Sequence, residues 1–483
     1  MNLVLSIDLG TSGCRSAVFD DTLNMLCIAT AEYPLIIQSD TEIEQDANLW
    51  YASVVDTIKR ALTACPACIQ EIRAISVSSQ GIAVVPVDHA GNPLCHAISW
   101  LDARAAAETA SLLNKQSLSA YYRITGKRLS STYTLPKVLW LQAHRPQWME
   151  KTWKLMLPMD YINFRLSGRC VTDHTMAAGT MLYEIGRQDW SLEILSQNHI
   201  AADLLPMLQW AGTPIGTISP RVAEELGLSK NVVIVNGAQD QKCAAYGAGI
   251  YGDAATVSLG TGCCITKRID MPVADDSMRI PCFSFLLPNS WVLEGVIGTA
   301  GSAYNWFHDQ FAPNTTFRTL DTLAMQAPVA TKEIFYPFLA GASSPNWDLS
   351  NAGFLNLSFH SGLGEMARAV LEGIAYCIRS NLDVMDALCS YTKALLLFGG
   401  GSKSDLWCQI IADVTNRSVT RFTSTETALA GAAKLAFQGI GQKAAVSLPK
   451  AEVFYPDEKC VSIYRVGYES YETTRKRCAT RIN

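Results

Sequence analysis

An α/β fold built as two similar halves is the fold class the sequence predicts, and three observations predict it. Strand-like runs open each half and then give way to alternating helix and strand. A Leu-Gly-Thr turn stands near the start of each half, as LGTSG at 9–13 and LGTGC at 259–263. The chain of 483 residues also exceeds one ordinary core and points to two domains of about 200–250 residues.

The elements follow in order. LVLSI (3–7), CRSAVFD (14–20) and MLCIATAEYPL (25–35) are β-branched and apolar runs separated by turn residues, which predicts an antiparallel meander. Trp50, Val54, Ile58 and Ala61 share one face of a helix over 47–64. Strands are expected at 74–79 and 83–88 around a Gln80-Gly81 turn, and at 232–240, where Asp240 ends the strand. A helix from Gln241 to about Tyr246 then closes the first half. The second half repeats strand, Gly turn and strand at 255–268, so duplication is the better reading of the repeated turn. A helix over 364–388 carries Met366, Val370, Ile374, Ile378, Leu382 and Met385 on one stripe. Strand 394–398 and helices at 406–414 and 426–439 follow. The boundary falls near 243–254, giving domains 1–246 and 247–483, and the lack of a Pro- or Ser-rich linker makes them abut.

Composition excludes several function classes. Lys+Arg 39 against Asp+Glu 44 gives a net charge of −5, with no broad cationic surface for nucleic acid or anionic lipid. No apolar run approaches the roughly 18 residues of a membrane span. The N-terminus has no basic region before its apolar run, so no signal peptide is expected and the location read is cytoplasmic. The 15 cysteines are odd in number and scattered, which suits free thiols in a reducing compartment. Cys65-Pro-Ala-Cys68 reads as an ordinary helix-end turn, and the seven histidines form no metal-binding cluster.

Two Gly-Thr turns and a Gly-Gly-Gly turn suit a nucleotide's phosphates. Glycines let backbone N–H groups approach phosphate oxygens, and Thr11, Ser12 and Thr261 add hydroxyl donors. Arg15 has the fork of donors that meets a phosphate. Asp8, at the end of the first strand, suits a hydrated Mg²⁺ held through water. GAGIYG (247–252) matches GxGxxG but runs helix to strand, the reverse of a dinucleotide site, and neither GxxxxGK[ST] nor GxSxG occurs. Asp240 stands where a carboxylate acts as general base on a substrate hydroxyl, or equally where an Asp caps a helix.

The chain resembles the FGGY family of carbohydrate kinases, within the actin-like (ribonuclease H-like) superfamily, nearly from end to end. The resemblance is carried by IDLGTSG, SWLDAR (99–104), YTLPKVLWL (133–141), PMDYINFRLSG (158–168), TDHTMAAGTMLYE (172–184), GAQDQKCAAYGAG (237–249), SLGTG (258–262), 352–373, and LFGGGSKSDLWCQIIADV (397–414). It implies two actin-like domains, an N-terminal sugar-binding one and a C-terminal nucleotide-binding one, with ATP, Mg²⁺ and a small carbohydrate in the cleft between them. It makes Asp240 the catalytic base, Gln241 its substrate-contacting neighbour and Asp8 the residue near Mg²⁺. Thr11, Ser12 and Arg15 match the first phosphate loop, Gly260 and Thr261 the second, and Gly400, Gly401 and Ser402 the loop that holds the nucleotide. Gln80, Gly81, Asp102 and Arg104 fall in the sugar-binding motifs, and a homodimer is one assembly the resemblance admits.

PMDYINFRLSG and TDHTMAAGTM look most like the xylulose kinase branch. Where that branch carries Gln-Met-His-Gly this chain has Gln80-Gly81-Ile82-Ala83, and for Trp-Asn-Asp it has Trp100-Leu101-Asp102. Losing polar partners implies a different or less hydroxylated acceptor. The other readings are a kinase of a small autoinducer-type signalling molecule, a non-enzymatic actin-like ATPase, and a sugar-sensing regulator. Asp240 followed by Gln241 argues against the ATPase, and retention of both Asp8 and Asp240 argues against the regulator.

Overall fold

The computed structural model describes residues 2–341, 344–347 and 351–480, so the outer limits of the expected domains, 1 and 483, lie outside them. The first half is built on strands β1 (Leu3–Leu9), β2 (Gly13–Phe19), β3 (Met25–Glu32), β4 (Ile72–Ser79), β5 (Pro214–Thr217) and β6 (Val233–Gln239). Their order across the sheet is β5-β6-β4-β1-β2-β3. β1, β2 and β3 form the expected antiparallel meander, while β4 and β6 run parallel to β1.

The second half repeats this plan with β7 (Ala254–Leu259), β8 (Cys263–Ile269), β9 (Cys282–Ser284), β10 (Trp291–Ile297), β11 (Ala394–Phe398), β12 (Ser418–Phe422) and β13 (Lys450–Phe454), ordered β9-β10-β8-β7-β11-β12-β13. Here β7, β8 and β10 are the antiparallel strands, and β11 and β12 run parallel to β7. The two halves thus share one strand pattern, as duplication of the Gly-Thr turn implies.

Helices cover both sheets. α1 (Ala47–Ala64) starts at Asp46, whose carboxylate accepts from Asn48 N, and buries Trp50, Val54, Ile58 and Ala61 as the spacing predicts. With α2 (Pro158–Ser167) it fills one face of the first sheet against Leu5, Ile7, Ile75 and Val77. α3 (Asp240–Gly247) begins one residue earlier than expected, because β6 stops at Gln239 and Gln239, not Asp240, is the helix cap. α4 (Leu363–Leu388) runs through the second core, and α5 (Thr427–Gly439) lies between the sheets. Leu429, Ala430, Ala433 and Phe437 of α5 form one apolar cluster with Val4, Ala17, Ala74 and Val235 of the first sheet and Leu396 and Phe398 of the second.

Cys65 and Cys68 are disulfide-bonded, which corrects the reading of this CxxC as an ordinary turn with free thiols. Cys65 ends α1, and the 3-10 turn Pro66–Glu71 brings Cys68 back to a Cα–Cα distance of 5.5 Å. The other 13 cysteines are free.

Candidate active site

The chemistry-bearing residues gather at the C-terminal ends of the parallel strands, where open α/β sheets place ligands. In the first sheet Leu9 of β1 and Gln239 of β6 both pair with Ser79 of β4, so the Gly10 turn, Gln80 and Asp240 leave one edge together. In the second sheet Ser258 of β7 pairs with Phe398 of β11, which sets Gly260-Thr261 beside Gly399–Gly401.

Each Gly-Thr turn is closed by a backbone bond from its first glycine, Gly10 N to Gly13 O at 2.8 Å and, one residue tighter, Gly260 N to Gly262 O at 3.0 Å. Thr11 takes Gln45 Nε2 on its carbonyl and Trp100 Nε1 on its hydroxyl, and Ser12 is exposed at the tip. Thr261 is exposed, and its carbonyl accepts from Ala300 N and from both N and Oγ of Ser302. At the third turn Gly399 has φ +94, and a Cβ there would meet Leu259 O at 2.6 Å, so only glycine fits. Gly400 and Gly401 continue it as a 3-10 turn. Ser402 is buried and donates its hydroxyl to Gly399 O, bracing the loop from within.

Asp8 sits in β1 opposite Arg15 of β2 and beside Ser78 of β4, whose hydroxyl donates to Asp8 Oδ1 at 3.0 Å. Burial pushes the Asp8 carboxyl up, against the Ser78 bond and the Arg15 charge, which pull it down. Arg15 is half-exposed and pairs with Glu426, just before α5, at 3.1 Å.

Asp240 opens α3. Its Oδ1 accepts from Gln241 N at 2.6 Å and from Gln239 Nε2. Burial and the neighbouring Asp8 charge raise its carboxyl to about 7. Lys242, two residues on, is buried and paired at 2.6 Å with Glu294 of β10, with its ammonium 4.0 Å from the centre of the Phe283 ring. This pair joins the two halves next to Asp240.

Of the residues expected to contact the sugar, Gln80 is buried and donates to Gln45 Oε1, while its own Oε1 has no partner among the described residues. Gly81 lies against the Gln239 side chain. Asp102 is fully enclosed: Oδ2 accepts from Ile43 N and Arg104 Nε, and Oδ1 from Arg104 N. Arg104 also pairs with Glu44 at 2.9 Å and lies over the Trp140 ring. Asp102 and Arg104 therefore brace one another inside the fold. Gln241 is half-buried beside Asp240. Sequence reasoning passed over Glu294, Gln239 and Glu426. Glu294 alone carried a signal, as an acidic residue inside the apolar run WVLEGVI.

Residues 3–247 match the N-terminal domain of the FGGY family of carbohydrate kinases, and residues 255–439 match its C-terminal domain. The xylulose kinase of Bacillus subtilis is 29% identical over 481 residues, spanning 98% of this chain and 96% of that protein. Among solved structures, a gluconate kinase from Lactobacillus acidophilus superposes with a TM-score of 0.93 at 25% identity, over 99% of this chain and 98% of that one. A ligand-bound xylulose kinase from the same organism gives 0.92 at 25% identity, over 99% of both chains. The repeated sheets, the paired Gly-Thr turns, the strand-end carboxylates and these matches over both halves agree: the chain belongs to the FGGY family of carbohydrate kinases.

Proposed function

We propose that this ATP-dependent carbohydrate kinase phosphorylates a terminal hydroxyl of a small ketose or polyol, with Asp240 as general base. One observation carries the reading: a half-buried carboxylate at the strand edge, held up at about 7, with one oxygen bonded and the other left for a proton. Such a group is poised to accept the acceptor's proton near neutrality while its oxygen attacks the γ-phosphate in line. Backbone N–H groups and hydroxyls of Thr11, Ser12 and Thr261, and the loop Gly400–Ser402, cradle the phosphates. Arg15 adds a guanidinium to the transferring group. Gln80, Gly81 and Gln241 face the acceptor, and Asp102 and Arg104 stiffen that wall. A cytoplasmic enzyme acting on its own or as a homodimer suits this chemistry.

Mg²⁺ fits Asp8. Oδ1 is held by Ser78, and a buried carboxylate whose proton is hard to remove gains from a nearby cation. Among the described residues no group of three or more His, Cys, Asp or Glu could hold a metal, so the ion is expected to arrive with the nucleotide. When bound, it supplies charge that offsets the β- and γ-phosphate oxygens. Activity should then need Mg²⁺ or Mn²⁺, and Asp8→Ala should raise the Mg·ATP requirement and lower turnover. Full turnover in EDTA would contradict this.

The acceptor is decided by a coupled ADP-release screen over pentuloses, hexuloses, alditols, aldonates and glycerol. Gly81, Ile82 and Leu101 stand where the xylulose kinase branch presents polar or larger groups, and Asp102 and Asp173 already have their oxygens bonded. D-xylulose should therefore rank below another ketose or polyol in kcat/KM. D-xylulose ranking first would sink the inference from these substitutions.

A further inference from the structure

We propose that Gln239 is the positioning and specificity-determining residue of the acceptor site: its amide fixes one oxygen of the base, and its stem fills the space opposite Gly81. The proposal rests on Asp240 as the base.

Every polar atom of Gln239 that could direct it is committed. Its backbone N donates to Thr175 Oγ1 at 2.9 Å, and that hydroxyl in turn donates to Asp173 Oδ1 at 3.0 Å. Its side-chain Oε1 accepts from Gln241 N at 3.2 Å, and Nε2 donates to Asp240 Oδ1. Because Oε1 must face an N–H donor, the amide has one orientation, with its NH₂ on the carboxylate. Oδ1 of Asp240 thus takes two donors, Gln239 Nε2 and Gln241 N, and Oδ2 is the oxygen left to receive a proton. A carboxylate held by one edge keeps its other oxygen in a fixed place, which is what proton transfer in a near-attack geometry needs.

The stem has a separate role. A Cβ added at Gly81 would come to 3.2 Å from Gln239 Cγ and 3.9 Å from Nε2. Gly81 is not among the residues with positive φ, so its glycine is accounted for by room rather than by backbone conformation. Ile82, the next residue, does take φ 55, and its carbonyl accepts from Thr134 Oγ1, so the turn is tied down and cannot easily retreat. Gln239 and Gly81 therefore divide one volume beside the base. Width lost there restricts the acceptor's chain next to its reacting CH₂OH.

Two substitutions separate the roles. Gln239→Met keeps the bulk but has no donor, so kcat should fall about tenfold, with the sugar and ATP KM values and the acceptor ranking held. Gln239→Ala removes the bulk as well, so the ratio of kcat/KM for a ketohexose over a ketopentose should rise by about tenfold. Gly81→Ala probes the same space from the other side. It should raise the sugar KM in the wild-type background and have little effect beside Gln239→Ala, which keeps the test open if one variant fails to fold. An unchanged kcat in Gln239→Met, or an unchanged ranking in Gln239→Ala with Gly81→Ala equally harmful in both backgrounds, overturns the proposal. Asp240→Asn run in the same assay separates the two failures: if it retains turnover the base itself is misassigned, and if it is inactive while the Gln239 variants behave as wild type, only this inference falls.

Discussion

Asp240→Asn lowers kcat by about 10²–10⁴ and leaves ATP binding in place. Asn keeps the shape and still accepts from Gln241 N, but it cannot take a proton from the attacking hydroxyl. The coupled ADP-release assay with the best acceptor reads kcat, and calorimetry reads ATP binding; near-wild-type turnover refutes the assignment. The wild-type pH profile should carry the same signature. With the carboxyl at about 7, the protonated and inactive form dominates below that value, so kcat/KM climbs roughly tenfold per pH unit and levels off above it. Stability runs the opposite way. A folded-state value raised above the ordinary 3.8 means that the folded protein binds this proton more tightly than the unfolded chain does. Ionisation therefore costs stability progressively between pH 3.8 and about 7. Asp240→Asn, which cannot ionise, should melt higher than wild type at pH 8 and lose that advantage at low pH.

Gly431→Ala, a change that helix propensity alone would favour by up to about 1 kcal/mol, should instead destabilise the protein. A Cβ at Gly431 of α5 would fall 1.9 Å from Cys243 O of α3, and the reciprocal contact is as tight, with a Cβ at Gly247 2.1 Å from Thr427 O. Both partners are backbone, so relief needs the two helices to move apart, at about 1–3 kcal/mol or more for overpacking of this kind. A fall in Tm of several degrees is expected. Activity should drop with it, because α3 carries Asp240 at its first position. A Tm at or above wild type would show that the helices separate freely.

The strands and helices that position the site were legible because each obeys a local rule. Trp50, Val54, Ile58 and Ala61 announce α1 by spacing, and the six-residue stripe of α4 does the same. The Gly-Thr turns were legible because their second glycines stand where a side chain has no room: a Cβ at Gly13 would lie 2.7 Å from Ala31 O, and one at Gly262 2.9 Å from Ile297 O. What stayed hidden depends on long-range juxtaposition. Nothing near Glu426 marks it as the partner of Arg15, 411 residues away. For Asp102 the hidden partner is Ile43, whose N–H stands 59 residues away in sequence and meets the carboxylate only in the folded chain. The cap of α3 fell one residue from its expected place because the Gln239 side chain, next to the Asp240 carboxylate, also accepts from Gln241 N. The disulfide was missed because Cys65-Pro-Ala-Cys68 carries no sign of its partner beyond closeness in sequence.

The position of α5 between the sheets has a consequence for the order of events on the ribosome. The face of the first sheet formed by Val4, Ala17, Ala74 and Val235 is covered by Leu429, Ala430, Ala433 and Phe437, made some 200 residues later than the last strand of that sheet. At about 5–20 residues per second, that apolar face waits roughly 10–40 s for its cover. The nascent first half must pass this interval with an unfinished surface, so the segment synthesised late, near the far end of the chain, completes the domain synthesised first.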